Sequence, residues 1–309
     1  MNPDIIAQLN NLKLNEIDKS LFDIKNQMKQ YDSASILNFR TLPDILSHNA
    51  ESVVAIDDFR KQNNLGFEFN INIAKDDIMF LNSLAVLKDF NLTCERYLSA
   101  GYSGFSIIRK IINDLYGDKK FNGQILDFAS GYGRVSRFLA AYYGENHVTV
   151  SDIKKESVDF QKKYFKVKGL YSDYAPEQFS TTEKFDVIFV GSLFTHLPET
   201  LFNDWMAKLL SLLNKGGYLV FSVHGLELFP GPADFDFYYG QDNEDSKFAY
   251  VQNRITSTDV YGVSFASEKF VKDVLQKIDA TIRYRRYPKL FSNLQDVYVA
   301  TYSDKLPAE

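Results

Sequence analysis

The stretch ILDFASGYGRVSRFLAAYYG, Ile125 to Gly144, decides the fold. A short apolar run, Ile125-Leu126, ends on an acid, Asp127, and the chain then turns through Ser130-Gly131-Tyr132-Gly133. From Arg134 the apolar residues Val135, Phe138, Leu139 and Tyr142 fall at helical spacing. Strand, glycine turn and helix form a layout in which backbone N–H groups and a helix N-terminus approach a ligand closely. Gly131 and Gly133 have no Cβ, so they can take positive φ and bring the main chain against it.

An ordinary βα turn with two glycines accounts for the bare pattern, but two ligand classes also suit it. A dinucleotide fold asks for G-x-G-x-x-G, and the third glycine position here is Ser136, so that fingerprint is incomplete. A nucleoside site without a pyrophosphate is the other reading. There an acid at the strand end suits a positive ammonium group, whereas beside a pyrophosphate it would repel, and Asp127 tips the balance this way. The stretch resembles motif I of class I S-adenosylmethionine-dependent methyltransferases, in which an acid ends the first strand before a G-x-G turn. Ala129 departs from that family, which usually has its first glycine at this place, and an alanine costs energy if φ must be positive. The resemblance implies an α/β, Rossmann-like, seven-stranded sheet with an antiparallel last strand. It also implies S-adenosyl-L-methionine as cofactor, held by Asp127, Ala129, Ser130, Gly131, Tyr132 and Gly133.

Composition fits a globular protein. The chain has 309 residues, 45% hydrophobic and 24% charged, enough for one large domain or two. A net charge of −5 argues against general binding to nucleic-acid phosphates. The single cysteine, Cys94, excludes an intramolecular disulfide and fits a reducing compartment. Asp4 near the start and the lack of a long apolar core argue against a secretory signal, and no apolar run approaches the roughly 18 residues of a spanning helix. A soluble, cytoplasmic protein is expected.

Upstream of the turn, residues 1–94 read as a helical N-terminal region and 95–309 as the catalytic domain. Leu14, Ile17, Leu21, Ile24, Met28 and Tyr31 form a narrow stripe, which fits one amphipathic helix lying on the domain or a homodimer through paired N-terminal helices. A second amphipathic helix is expected over 76–90. In CERYLSAGYSGFSIIRKIINDLYG, Ser103 is a plausible N-cap for a helix whose apolar face is Phe105, Ile108, Ile111, Ile112 and Leu115. The resemblance makes this the helix before the first strand. Its preceding segment, with Arg96, Tyr97, Gly101 and Tyr102, closes over the methionine end of the cofactor in related enzymes. Arg96 can pair with a carboxylate there, and Tyr102 joins the set; a surface turn explains the same residues.

Downstream, HVTVSDI alternates as a strand and ends at Asp152 and Ile153, about 20 residues after the glycine turn, where a carboxylate can accept both ribose hydroxyls. Capping of the next helix is the plainer role for that acid. After the third strand, the resemblance offers Asp173 for an adenine amino group and Tyr174 for stacking. FDVIFV is a continuous apolar run expected of a strand covered on both faces, and Gly191, Ser192 and Leu193 follow at its carboxyl end, where ligands bind in parallel sheets. Enzymes that methylate base amines usually carry Asn/Asp-Pro-Pro-aromatic here, and Gly191-Ser192-Leu193-Phe194 does not match it. NKGG then stops a helix, and YLVFSVHG is the fifth strand.

Two of the four histidines, His196 and His224, fall at strand ends on this face. Either can act as general base toward an acceptor hydroxyl, and either can serve only to hydrogen-bond its loop. Neither has the close acidic or histidine neighbours of a metal site. Residues 226–262 form an aromatic-rich insertion with Phe235, Phe237, Tyr238 and Tyr239, suited to a lid, to sugar stacking or to packing on the N-terminal helices. Two strands near 282–287 and 296–302 read as a closing antiparallel hairpin. On it Arg283, Arg285, Arg286 and Lys289 are most simply a charged strand edge.

The pairing of GSLFTHL with SVHG, then YGVSFAS and QDVYVA, resembles a bacterial methyltransferase subfamily associated with carbohydrate or surface-polysaccharide modification. The expected activity is methyl transfer to an oxygen of a small-molecule or carbohydrate acceptor. A non-catalytic methyltransferase-like scaffold and an NAD-dependent oxidoreductase are the alternatives.

Overall fold

The computed structural model describes residues 57, 59–63, 65–117, 121–229, 247–252 and 262–308. The Leu14–Tyr31 stripe with its proposed dimer, and the aromatics at 235–239, lie outside the described residues.

The helices that lead into the sheet are α1 (Ile78–Leu87) and α2 (Phe90–Tyr116). The Asp77 side chain caps α1 by accepting from the Met79 and Phe80 N–H groups. Ser103 is not a cap: α2 starts at Phe90, where the Asp89 carboxylate accepts from Leu92 N. The buried stripe of Thr93, Cys94, Tyr97, Leu98 and Gly101 continues into Phe105 and Ile108 without a break. A domain boundary at 94 therefore falls inside one continuous helix. Gly101 and Gly104 are the places where α2 crosses the glycine turn. A Cβ on Gly101 would sit 2.1 Å from the Arg134 carbonyl oxygen, and one on Gly104 would sit 2.9 Å from Val135 Cγ2.

The sheet contains β1 (Ile125–Phe128), β2 (Val148–Asp152), β3 (Lys168–Tyr171), β4 (Phe185–Val190) and β5 (Leu213–Gly225), in the order β3-β2-β1-β4-β5 and all parallel. β9 (Gln295–Thr301) pairs antiparallel with β5, and β8 (Arg283–Phe291) pairs antiparallel with β9. These seven strands are the expected sheet with its reversed strand. Two more make nine among the described residues: β6 (Phe248–Gln252), within the insertion, pairs antiparallel with β7 (Gly262–Ala266), which begins at the insertion's last residue. β7 runs parallel to β5 only at His224 and Gly225. One edge of His224 is taken by Gln295 of β9, so β7 occupies the other edge, just past the point where β4 ends opposite Phe221. The pair thus sits at the carboxyl end of the sheet.

Helices α3 (Ser136–Tyr143) and α4 (Lys155–Phe165) join α2 on one face, and α5 (Glu199–Ser211) and α6 (Glu268–Ile278) cover the other. Val187 and Phe189 enter the first core, with Phe105 and Phe138; Ile188 and Val190 enter the second, with Trp205 and Phe270. Successive strand residues point to opposite faces, so a strand covered twice must be apolar throughout. Among the basic residues of β8, Arg286 pairs with the buried Asp296 at 2.8 Å and with Glu268 at 3.1 Å, and Arg283 pairs with Asp304 at 2.7 Å. Among the described residues, no helix is long and apolar enough to cross a membrane.

Candidate functional site

The turn between β1 and α3 carries three left-handed residues in alternation: Ala129 at φ 57°, Gly131 at 56° and Gly133 at 79°. Ala129 does take the conformation that glycine would take at lower energy, at a cost of about 1 kcal/mol. The turn is held from several sides. Ser130 N donates to the Ser151 carbonyl at 3.0 Å, and Gly133 N donates to the Ser130 carbonyl at 3.0 Å. Gln161, buried on α4, donates to Ser130 Oγ at 2.9 Å and to the Gly131 carbonyl at 2.8 Å. Gly133 is hemmed in, since a Cβ would lie 2.4 Å from Phe165. A Cβ on Gly131 would meet nothing within 4 Å. The backbone at Gly131 therefore faces open space, as a ligand-binding turn requires.

Two carboxylates flank this opening. Asp127, at the β1 end, is 2% exposed and accepts from Ser136 Oγ at 2.5 Å. Burial, with the charge of Asp152 adding to it against the Ser136 hydrogen bond, raises its pKa to about 7. Asp152, at the β2 end, accepts from Gly131 N at 2.8 Å and Lys154 N at 2.9 Å, and burial pushes its pKa up too. Neither has an ion-pair partner among the described residues. Two buried carboxylates beside one open turn form a site short of positive charge. Ile153 is partly exposed beyond Asp152.

A second arm comes from the fourth and fifth strands. Ser192 is left-handed at φ 64°. Its N–H donates to Ser222 Oγ at 2.8 Å, and the Ser192 and Ser222 hydroxyls donate to Gln295 Oε1 at 3.1 and 2.7 Å. This ties the Gly191-Ser192-Leu193 loop to β5 and β9. His196 and His224 are both held by β7: their Nδ1 atoms lie 2.7 Å from the Gly262 carbonyl and 3.2 Å from the Ser264 carbonyl. A carbonyl only accepts, so Nδ1 carries the hydrogen in each, and in the neutral ring Nε2 keeps its lone pair. Burial lowers both pKa values; for His224, burial and then the nearby His196 bring it to about 4. His224 is therefore neutral at physiological pH, with its ring 5.5 Å from that of Phe265.

The remaining predicted residues divide. Asp173 and Tyr174 are exposed beyond β3, with Asp173 Oδ1 accepting from Tyr174 N at 2.7 Å. Tyr132 lies in the turn and packs on Phe160. Arg96 is exposed on α2, and no hydrogen bond or ion pair ties it to the turn. Tyr102 does not join the set. Its ring packs against Phe59, Phe105 and Phe138 and lines a separate cavity with Arg109, Ala141 and Tyr142. Among the described residues, no group of three or more His, Cys, Asp or Glu side chains is placed to hold a metal ion.

Sequence reading missed several supports. Ser136, counted there as a failed glycine, is the donor to Asp127. Arg137 is 1% exposed and donates to the carbonyls of Gly133 and Asn70, each at 3.2 Å, and to Tyr97 Oη at 3.3 Å. Tyr97 Oη in turn donates to Asp77 at 2.6 Å. The segment before α1 is thereby bolted to the glycine turn. Gln161, Ser222 and Gln295 carry no sequence signal, because each acts through the fold rather than through spacing.

Residues 125–217, from β1 into β5, match the family model described as a methyltransferase domain. No curated protein matches the chain. Similar solved structures include an S-adenosylmethionine-dependent methyltransferase from Clostridium acetobutylicum ATCC 824, at 13% identity and a TM-score of 0.45, covering 65% of this chain and 90% of that one. Streptomyces venezuelae DesVI aligns at 12% identity and 0.47, covering 68% and 92%. The Burkholderia thailandensis 1,6-didemethyltoxoflavin-N1-methyltransferase aligns at 15% and 0.46, covering 73% and 86%. The span that matches the methyltransferase-domain model holds the glycine turn, Asp127, Asp152 and the β4 loop.

Proposed function

We propose that this protein transfers a methyl group from S-adenosyl-L-methionine to an oxygen of a small-molecule or carbohydrate acceptor. The observation that carries the cofactor assignment is the pair of buried, unpaired carboxylates around the open backbone of Gly131. A nucleoside with a cationic arm answers both. Asp152 offers lone pairs to a ribose diol, and Asp127 offers negative charge to an ammonium group. A pyrophosphate would bring more negative charge to a place that already holds two acids, which disfavours a dinucleotide. The methyl-group donor, when bound, supplies a carbon already activated by its sulfonium. The chain's own task is then to bind, to align the acceptor and to receive a proton.

His224 Nε2 is the proposed proton acceptor. The ring is oriented by the β7 carbonyl and is already neutral, so it can take the acceptor hydroxyl's proton as the new C–O bond forms. His196 buttresses the same β6–β7 pair. The carbohydrate acceptor rests on the subfamily resemblance.

Two tests follow. His224→Ala is expected to lower turnover by about 100-fold, the usual range for a general base, with cofactor affinity unchanged. In the unmodified enzyme at saturating cofactor, turnover should show no acid limb near pH 6.5, because the ring protonates only near pH 4. Normal turnover in the variant removes His224 from the mechanism.

Asp127 gives a separate readout. Its pKa is raised in the folded protein, so between about pH 4 and 7 the fold holds a proton that the unfolded chain has released; that stabilising contribution is present at low pH and lost as pH rises through 7. A cation bound beside it reverses the shift. Calorimetry at pH 6 in buffers of different ionisation enthalpy should report release of close to one proton on cofactor binding, and none in Asp127→Asn. Binding by the unmodified protein without proton release contradicts the assignment.

A further inference from the structure

A cavity of about 380 Å³ lies between the segment before α1, α2 and the C-terminal end of α3. It is lined by residues 65–67, Tyr102, Arg109, Ala141 and Tyr142. α3 leaves the glycine turn at Ser136, so Ala141 and Tyr142 stand more than a helical turn away from it. The cavity is therefore distinct from the proposed cofactor site, and its volume is at the lower end of the range for small-molecule sites.

Its chemistry is specific. Three aromatic rings wall it, with Phe67 and Tyr142 at 5.5 Å, edge to face. Arg109 lies over the Tyr142 ring at 4.6 Å. No carboxylate pairs with Arg109, and no hydrogen bond consumes its N–H groups among the described residues. Arg60, Arg283 and Arg286 each have an acidic partner, and the buried Arg137 spends its N–H groups on carbonyls and a tyrosine, whereas Arg109, half-buried in the cavity wall, has its donors uncommitted among the described residues. Contact with the Tyr142 ring restrains the guanidinium while leaving its N–H donors for an acceptor. Gly66 adds room, since a Cβ there meets nothing within 4 Å.

We propose that this cavity binds a small aromatic carboxylate, with the ring among Phe67, Tyr102 and Tyr142 and the carboxylate on Arg109. Such a ligand touches the segment before α1 and both helices at once, so binding fastens that segment to the methyltransferase domain. Because it binds the folded state, it raises thermal stability as its concentration exceeds Kd.

The test uses the full chain, with benzoate as probe and benzyl alcohol as the uncharged control, read by thermal shift and by calorimetry. Benzoate should bind and raise the melting temperature, and benzyl alcohol should bind at least tenfold more weakly. Arg109→Gln should cost at least tenfold in benzoate affinity, the range for a hydrogen bond to a charged group, and Ala141→Leu should reduce binding by filling the space. S-adenosylhomocysteine affinity, measured on the same samples, should be unchanged in both variants, which also certifies their fold. No benzoate binding, equal binding of the two probes, or full benzoate affinity in a folded Arg109→Gln each overturns the proposal. Loss of S-adenosylhomocysteine binding by the unmodified protein would count against the cofactor assignment and leave the benzoate result to be read alone.

Discussion

Asp152→Ala is expected to weaken binding of S-adenosylmethionine by about 100-fold, from the loss of hydrogen bonds to a charged acceptor worth about 1.5–3 kcal/mol each. The carboxylate plane is set by two backbone donors, Gly131 N and Lys154 N, one on each oxygen. A carboxylate has about four lone-pair positions, so one on each oxygen remains for the two ribose hydroxyls. Burial keeps water from competing and makes those bonds worth more than on a surface. The loss should be the same size for S-adenosylhomocysteine and for adenosine, which share the ribose. Asp152→Asn keeps the shape but turns one acceptor into a donor, so its loss should be intermediate. Equal affinity in all three proteins, measured calorimetrically on folded samples, would mean that the strand-end acid serves only the Gly131 turn and the start of α4.

Gly101→Ala should destabilise the fold by about 3 kcal/mol, the upper end for overpacking a core. The added methyl would stand 2.1 Å from the Arg134 carbonyl oxygen, and a backbone atom cannot rotate aside. To relieve the clash, α2 must lift from the turn, and the buried faces of Tyr97, Leu98 and Phe105 lift with it. The sign is diagnostic. In an exposed helix interior the same change stabilises by about 0.5–1 kcal/mol, because alanine is the better helix former. Gly66→Ala, which meets nothing within 4 Å, is the control and should be close to neutral. Denaturant titration of the two variants decides it; a Gly101→Ala protein as stable as the unmodified one would show that α2 is not seated on the turn as described.

Much of this molecule was legible in its residues. The apolar runs of β1 and β4 and the acids at the ends of β1 and β2 depend on local patterning, and the seven-stranded sheet with its reversed strand followed from the resemblance; NKGG, read as a helix stop, lies inside β5, and the helix ends earlier, at Ser211. Ala129 was legible as an exception, and its φ of 57° explains why glycine is the usual solution there. The start of α2 was not legible, because Gly101 and Gly104 weaken a helix on propensity alone and only their contact with Arg134 and Val135 gives them a reason. The β6–β7 pair was not legible, because its position beside His224 depends on where β4 stops. Tyr102 was assigned to the cofactor by its place in the chain, whereas helix geometry turns it toward Phe138 instead. Arg137 was invisible for a different reason. A charged residue is read as solvated unless its partners are known, and here they are two carbonyls and a tyrosine contributed by distant segments.

The most direct test of the central claim is calorimetric titration of the full chain with S-adenosylhomocysteine and, separately, with NAD. The two buried carboxylates around Gly131 predict micromolar affinity for the first and no binding of the second. Binding of NAD without S-adenosylhomocysteine would contradict the account at its root, since it would place a pyrophosphate beside Asp127 and Asp152.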